Sequence, residues 1–166
     1  QVQNHVVMVT GAGGSIGSEL CRQILQRKPK VLLLFDSSEL ALYTLNNELQ
    51  SILSLLVIEQ AKITAVELLP NIISLLGSVT DENRVNDIIG AWHPNIIYHA
   101  AAVKHVPIVE QNIAESVKTN IFGTLTMVKV AIERQVDCFV LVSTDKAVNP
   151  TNAMGASKRC CELILQ

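Results

Sequence analysis

Residues 6–17 constrain this chain more than any others. Val6-Val7-Met8-Val9-Thr10 runs straight into Gly11-Ala12-Gly13-Gly14-Ser15-Ile16-Gly17, and a helical pattern begins at once. Four of the eight glycines fall in the seven residues of that turn, which makes it a built feature rather than a chance loop. Glycine there permits a sharp turn, lets backbone approach a pyrophosphate and allows tight packing of helix on strand. The helix N-terminus adds unpaired N–H groups and a positive dipole end, so an anion belongs in the turn. A second apolar run ends at Phe35-Asp36, 19 residues after Gly17. An acid at that place accepts hydrogen bonds from ribose hydroxyls and repels a 2′-phosphate, which points to NAD rather than NADP. Asp36 also suits a helix N-cap, with Ser37 and Ser38 competing for the role.

The rest of the chain repeats the strand-then-helix pattern. Apolar runs of strand length occupy residues 5–10, 30–35, 95–99 and 138–143, and a further strand falls within 67–76, with candidates on either side of Pro70. Ile16, Leu20 and Ile24 recur at helical spacing. So do Val85, Ile88, Ile89 and Trp92, and Val117, Ile121, Leu125, Val128 and Ile132 make one continuous stripe. Each stripe is expected to face a core. Between residues 51 and 70 helix gives way to strand at no clear boundary. The alternation predicts a doubly wound parallel sheet in three α/β/α layers, the Rossmann fold, over residues 1–166. A hydrophobic fraction of 49% fits such a sheet, whose strands are buried on both faces.

Charge and cysteine content exclude other classes. A net charge of −2 leaves no footprint for nucleic acid, and Arg27, Lys28 and Lys30 read as a solvated turn. No apolar stretch reaches the ~18 residues of a membrane span. Cys21, Cys138, Cys160 and Cys161 make no CxxC pair, and with four scattered histidines no metal site is expected. Reduced, mostly buried thiols in a cytoplasmic protein are expected instead. Residues 153–166 read as an amphipathic helix without a C-cap signal, so the chain is expected to be a piece of a longer one.

Several runs resemble a known family. Thr10 to Leu20, TGAGGSIGSEL, is similar to the cofactor loop of extended short-chain dehydrogenases/reductases. Tyr98 to Pro107, with its HAAAVKHVP core, resembles nucleotide-sugar 4,6-dehydratases of bacterial surface polysaccharide and glycan synthesis. Thr119 to Thr124, TNIFGT, and Leu141 to Lys158, LVSTDKAVNPTNAMGASK, match the same group. The likeness is strongest to membrane-associated UDP-N-acetylhexosamine 4,6-dehydratases of the capsule and O-antigen type.

In the wider superfamily a Tyr-x-x-x-Lys pair shares one helix face, and the lysine lowers the tyrosine pKa. Here the pair is Met154 and Lys158. A thioether has no proton to exchange, so Met154 is expected to border the sugar pocket. The acid–base work then passes to Thr144-Asp145-Lys146, at the carboxyl edge of the sheet where open α/β folds place ligands.

The resemblance implies an internal redox cycle. Sugar carbon 4 is oxidised, water leaves across carbons 5 and 6, and hydride returns to carbon 6, with no net oxidation. Thr144 would bond the carbon 4 oxygen, while Asp145 and Lys146 would move protons, their division of labour left open. Lys158 would orient the nicotinamide ribose. Cofactor contacts are also implied for Gly11, Gly14, Ser15, Ile16, Gly17, Asp36, Ser37, Ser38, Ser78, Val79, Ala100, Ala101, Ala102, Lys104, Asn120 and Ser143. Substrate contacts are implied for Lys104, His105 and Asn149. A homo-oligomer is expected, on the cytoplasmic face of a membrane if the parent chain carries spanning segments. Two readings compete: a silent NAD-binding sensor, opposed by Asp145, Lys146 and Lys158, and a related epimerase or reductase, of which an ordinary reductase that releases its cofactor is opposed by Met154.

Overall fold

A computed structural model describes residues 2–60 and 69–166. Five parallel strands form one sheet: β1 (Val6–Thr10), β2 (Val31–Asp36), β3 (Asn71–Leu76), β4 (Ile96–His99) and β5 (Cys138–Leu141). Their order across the sheet is β3-β2-β1-β4-β5. The chain winds outward from β1 in one direction, then returns to β4 and winds in the other. The crevice at that switch point is where such folds bind ligands.

Alternation along each strand builds two cores. Val7, Val9, Leu32 and Leu34 pack under α1 (Ser15–Gln26) and α2 (Glu39–Gln60). Met8, Leu33, Phe35 and Ile97 pack on the opposite face under α3 (Glu82–Trp92) and α6 (Gly123–Glu133). The three-layer Rossmann architecture expected from the sequence is therefore present. Of the two strand candidates flanking Pro70, the later one forms β3; the earlier falls largely on residues outside those described. Helix α2 fills 51–60, and the remainder of the ambiguous stretch, 61–68, is also outside them.

Between β4 and β5 the chain forms α4 (Val106–Gln111), α5 (Ile113–Ser116), a π-helical segment (Val117–Phe122) and α6. The expected stripe fails here. Its members Val117, Ile121 and Val128 are only half-buried, while Leu125 and Ile132 are 46% and 73% exposed. The buried positions are Ser116, Asn120, Thr124, Met127, Val130 and Ala131. The buried set keeps helical spacing throughout and sits one residue before each member of the stripe, so the covered face carries polar Ser116, Asn120 and Thr124. The small residue Gly123 then faces Val79 at close range, a contact any side chain would block.

The other stripes hold better. Val85, Ile88 and Ile89 are buried, and Trp92 packs against the same core. In α1 Ile24 is buried and Leu20 partly so, but Ile16 is exposed at the mouth of the crevice. The thiols are not mostly buried: Cys21 and Cys161 are, Cys138 and Cys160 are exposed, and all four are free. Cys138 and Val140 are exposed on edge strand β5, alternating with the partly buried Phe139 and Leu141.

The chain closes with a 3-10 turn (Asp145–Ala147) and α7 (Ala153–Ile164). Asn152 caps α7 by accepting the Gly155 N–H at 2.8 Å. Among the described residues no helix is long and apolar enough to cross a membrane.

Candidate active site

A cleft of about 770 Å³ opens at the carboxyl ends of β1 and β4. One wall is the glycine loop. Gly11 has φ +62°, and a Cβ there would lie 2.6 Å from the Ala101 Cα on the opposite wall. A Cβ on Gly17 would fall on the Gly11 carbonyl oxygen. Both positions therefore require glycine, one for its backbone angle and the other for a close approach. Gly14 precedes α1 without a side-chain cap, and the first turn holds no acid. The first N–H groups of α1 are left for an anion. Ser15, at the first position of α1, is exposed beside the cleft rather than lining it.

Asp36 stands at the end of β2 with both carboxylate oxygens engaged. Oδ2 accepts the Gly13 N–H and Oδ1 the Ser38 N–H, each at 2.9 Å. The capping role belongs to Ser38, whose hydroxyl accepts the Ala41 N–H at 3.3 Å. Asp36 is thus free to pin the glycine loop while one edge still borders the cleft, beside Ser37 and Ser38. Ser78 and Val79 complete this end. The Ser78 hydroxyl is tied to Thr80 Oγ1 at 2.8 Å, and Val79 is buried against Gly123.

Ala100, Ala101 and Ala102 form the far wall. Asn120 does not reach the cleft; it is buried behind that wall and clamps it. Its side chain accepts the Val103 N–H at 2.8 Å, donates to the Val103 carbonyl at 3.0 Å, and donates to Ser157 Oγ at 2.9 Å. Asn120 lies within the π-helical segment, on the same buried face as Ser116 and Thr124. Lys104 lines the cleft, whereas His105 precedes α4 outside it.

The third side carries the acid–base residues. Ser143, Thr144, Lys146, Met154 and Lys158 all line the cleft. Met154 and Lys158 are buried one turn apart on α7. Burial pulls the Lys158 pKa down, partly opposed by Cys161 and Glu162. Ser143 donates to Glu162 Oε1 at 2.5 Å. Thr144 donates to Asp145 Oδ1 at 3.0 Å, and this bond, followed by the Lys146 ammonium 3.6 Å away, lowers the Asp145 pKa. Asp145 itself is 89% exposed and faces water rather than the cleft. Asn149, with φ +47°, borders a separate small depression with Val148, Pro150 and Arg159.

Residues that sequence reasoning passed over also line the cleft: Gly13, Ala41, Gly77, Thr119 and Val142. Gly13 was visible in the loop itself, and Thr119 in the TNIFGT run. Ala41 and Gly77 carry no chemical signal of their own. They matter as small residues beside the loop: a Cβ on Gly13 would collide with the Ala41 methyl.

Residues 7–166 match the model of a family described as polysaccharide biosynthesis protein. The chain belongs to that family. It is 38% identical over 166 residues to the capsular polysaccharide biosynthesis protein CapD of Staphylococcus aureus, covering all of this chain and 26% of that protein. It is 31% identical over 153 residues to the UDP-N-acetylglucosamine 4,6-dehydratase (inverting) of Campylobacter jejuni, covering 92% of this chain and 40% of the relative. The UDP-glucose 4-epimerase of Rickettsia rickettsii is 31% identical over 160 residues, 96% of this chain and 42% of the epimerase. The chain thus spans between a quarter and about two fifths of these relatives. Membership fits the extended short-chain dehydrogenase/reductase resemblance read from the motifs.

Proposed function

We propose that this chain is the NAD-binding part of an enzyme that converts a UDP-N-acetylhexosamine to its 4-keto-6-deoxy form for surface polysaccharide synthesis. One observation carries the reading: a single cleft runs from the glycine loop and Asp36 to Lys146, Met154 and Lys158. Cofactor-type and acid–base-type groups therefore face one space.

The cleft fits a dinucleotide. Its volume lies in the range of ligand pockets, about 300–1,000 Å³. Glycines keep the loop low where any Cβ would fill it. Gly11 to Gly17 and the α1 N-terminus would hold the pyrophosphate, Asp36 a ribose, and Lys158 the nicotinamide ribose. When bound, NAD supplies the acceptor for the carbon 4 hydride and returns it to carbon 6.

The protein's own groups do the rest. Thr144 is placed to bond the carbon 4 oxygen. Lys146 lines the cleft and would move a proton there; Asp145 pairs with it from the water side. Met154 supplies bulk where a proton carrier would otherwise stand. Equal identity to a dehydratase and an epimerase does not choose between the two reactions; the likeness of Tyr98 to Pro107 and of Leu141 to Lys158 to the dehydratases favours that reading.

The test is turnover of UDP-N-acetylglucosamine by the full-length protein with no added reductant. A 4-keto-6-deoxy product supports the reading. Epimerised sugar with its 6-hydroxyl intact would replace it with the epimerase.

A further inference from the structure

His99 has no part in the reading above, yet it lies fully buried directly behind the cleft at the end of β4. Both ring nitrogens are engaged. Nδ1 is 2.7 Å from the Thr10 hydroxyl and Nε2 is 3.1 Å from the Thr124 hydroxyl. The Thr10 oxygen also accepts the Ala101 N–H at 3.3 Å. On the other side, Thr124 hydrogen-bonds the Cys161 sulfur. The Cys161 thiol donates to the carbonyls of Asn120 and Ser157, at 3.0 and 3.1 Å.

The carbonyl end of this chain of contacts fixes its direction. The Ala101 N–H can only donate, and the two carbonyls can only accept. Each hydroxyl and the thiol has one proton to give. Cys161 gives its proton to the carbonyls, so Thr124 gives its own to Cys161. Thr124 oxygen must then accept from His99 Nε2–H, and His99 Nδ1 accepts from Thr10. A neutral ring protonated at Nε2 is the state that satisfies every link. A second proton, on Nδ1, would face the Thr10 hydroxyl hydrogen.

We infer that His99 is a positioning residue of the cleft. As a neutral Nε2–H imidazole it joins the Ala101 wall to the turn of α7 that carries Lys158, through one directional hydrogen-bond chain. Ala101 touches Gly11, so this chain sets the spacing between the glycine loop, the alanine wall and Lys158. The surroundings agree. Burial first, then the Lys158 charge, pull the ring's pKa down to about 3. Thr10, Thr124 and Phe139, from β1, α6 and β5, bring no charge to it.

The inference rests on the cleft being the NAD site, and the test separates the two. Ring-nitrogen NMR of the histidine-labelled chain should show His99 neutral and protonated at Nε2 throughout the range in which free histidine titrates, around pH 6.5. Thr124→Val removes the acceptor and should move the proton to Nδ1. Calorimetry should show Thr10→Val weakening NAD about tenfold, with Thr10→Ser restoring it. A charged ring or an Nδ1–H tautomer in the unmodified chain overturns the inference, as does Thr10→Val binding NAD normally. Failure of the unmodified chain to bind NAD overturns the cofactor reading instead, and the ring spectrum still decides the hydrogen-bond chain.

Discussion

The two ends of the cleft are built differently. At the Asp36 end the named groups are tied down: Asp36 by Gly13 and Ser38, the Gly14 N–H by the Gly11 carbonyl at 3.0 Å, Ser78 by Thr80. At the other end Lys158 and Met154 are buried, but Asp145 stands in water and Lys146 is half-exposed. The first end is shaped by backbone whose close approaches only glycine permits. The second carries Asp145 and Lys146 on a 3-10 turn whose backbone packs on α7, where a Cβ on Gly155 would fall on the Lys146 carbonyl oxygen, while both side chains reach water.

The largest effect should come from the looser end. Lys146→Ala in the full-length enzyme should lower the rate by ~100- to 10,000-fold, the usual cost of losing a positioned acid or base, with NAD still bound. Asp145→Asn should cost less, because its carboxylate faces away from the cleft. Steady-state rates with bound cofactor checked by absorbance decide this. A dead Asp145→Asn beside an active Lys146→Ala would reverse the ranking.

Next is the rigid end. Gly17→Ala puts a methyl onto the Gly11 carbonyl, and overpacking against backbone costs about 1–3 kcal/mol. NAD affinity measured by calorimetry should fall about tenfold or more. Unchanged binding would mean that the loop yields more easily than its contacts imply.

A comparable or smaller effect is expected at Asp36. NAD should bind at least about tenfold more tightly than NADP, because a 2′-phosphate would meet a carboxylate fixed on both oxygens. Equal affinities would remove Asp36 from the ribose site.

Between the two ends, His99 adds an acid limit. Its pKa is about 3 in the fold and about 6.5 when unfolded, so the unfolded chain binds the extra proton between those values. The stability it contributes is complete above about 6.5 and is lost as pH falls toward 3. Chemical denaturation from pH 7 to 5, before most carboxylates titrate, should show the slope approaching about 1.4 kcal/mol per unit. A flat profile there would place the ring in contact with water.

The smallest effect is expected at Met154. Met154→Leu keeps bulk and removes no proton, so the rate should change by less than about tenfold.

The same contrast explains what the sequence disclosed. Strand–loop–helix chemistry is local, so Gly11 to Gly17, Asp36 and the sheet order's two halves could be read directly. Side-chain direction on the longer connection could not. From Ser116 to Ile132 the buried face lies one residue before the apolar stripe and carries polar Ser116, Asn120 and Thr124, and Asn120 there holds Val103. Periodicity follows apolar residues and cannot register a buried face built partly from hydrogen-bonded polar ones. Asp145 and Lys146 were adjacent in sequence with equal claims. Which one faces the cleft depends on the turn after β5, a tertiary fact.

The central claim, that one cleft oxidises carbon 4 and reduces carbon 6 of the same sugar, is tested most directly by following a label. UDP-N-acetylglucosamine carrying deuterium at carbon 4 would be given to the full-length enzyme without added reductant, and the product examined by mass spectrometry and NMR. The account predicts a 4-keto-6-deoxy sugar with the deuterium on carbon 6. Deuterium remaining on carbon 4 of a sugar that keeps its 6-hydroxyl would contradict it.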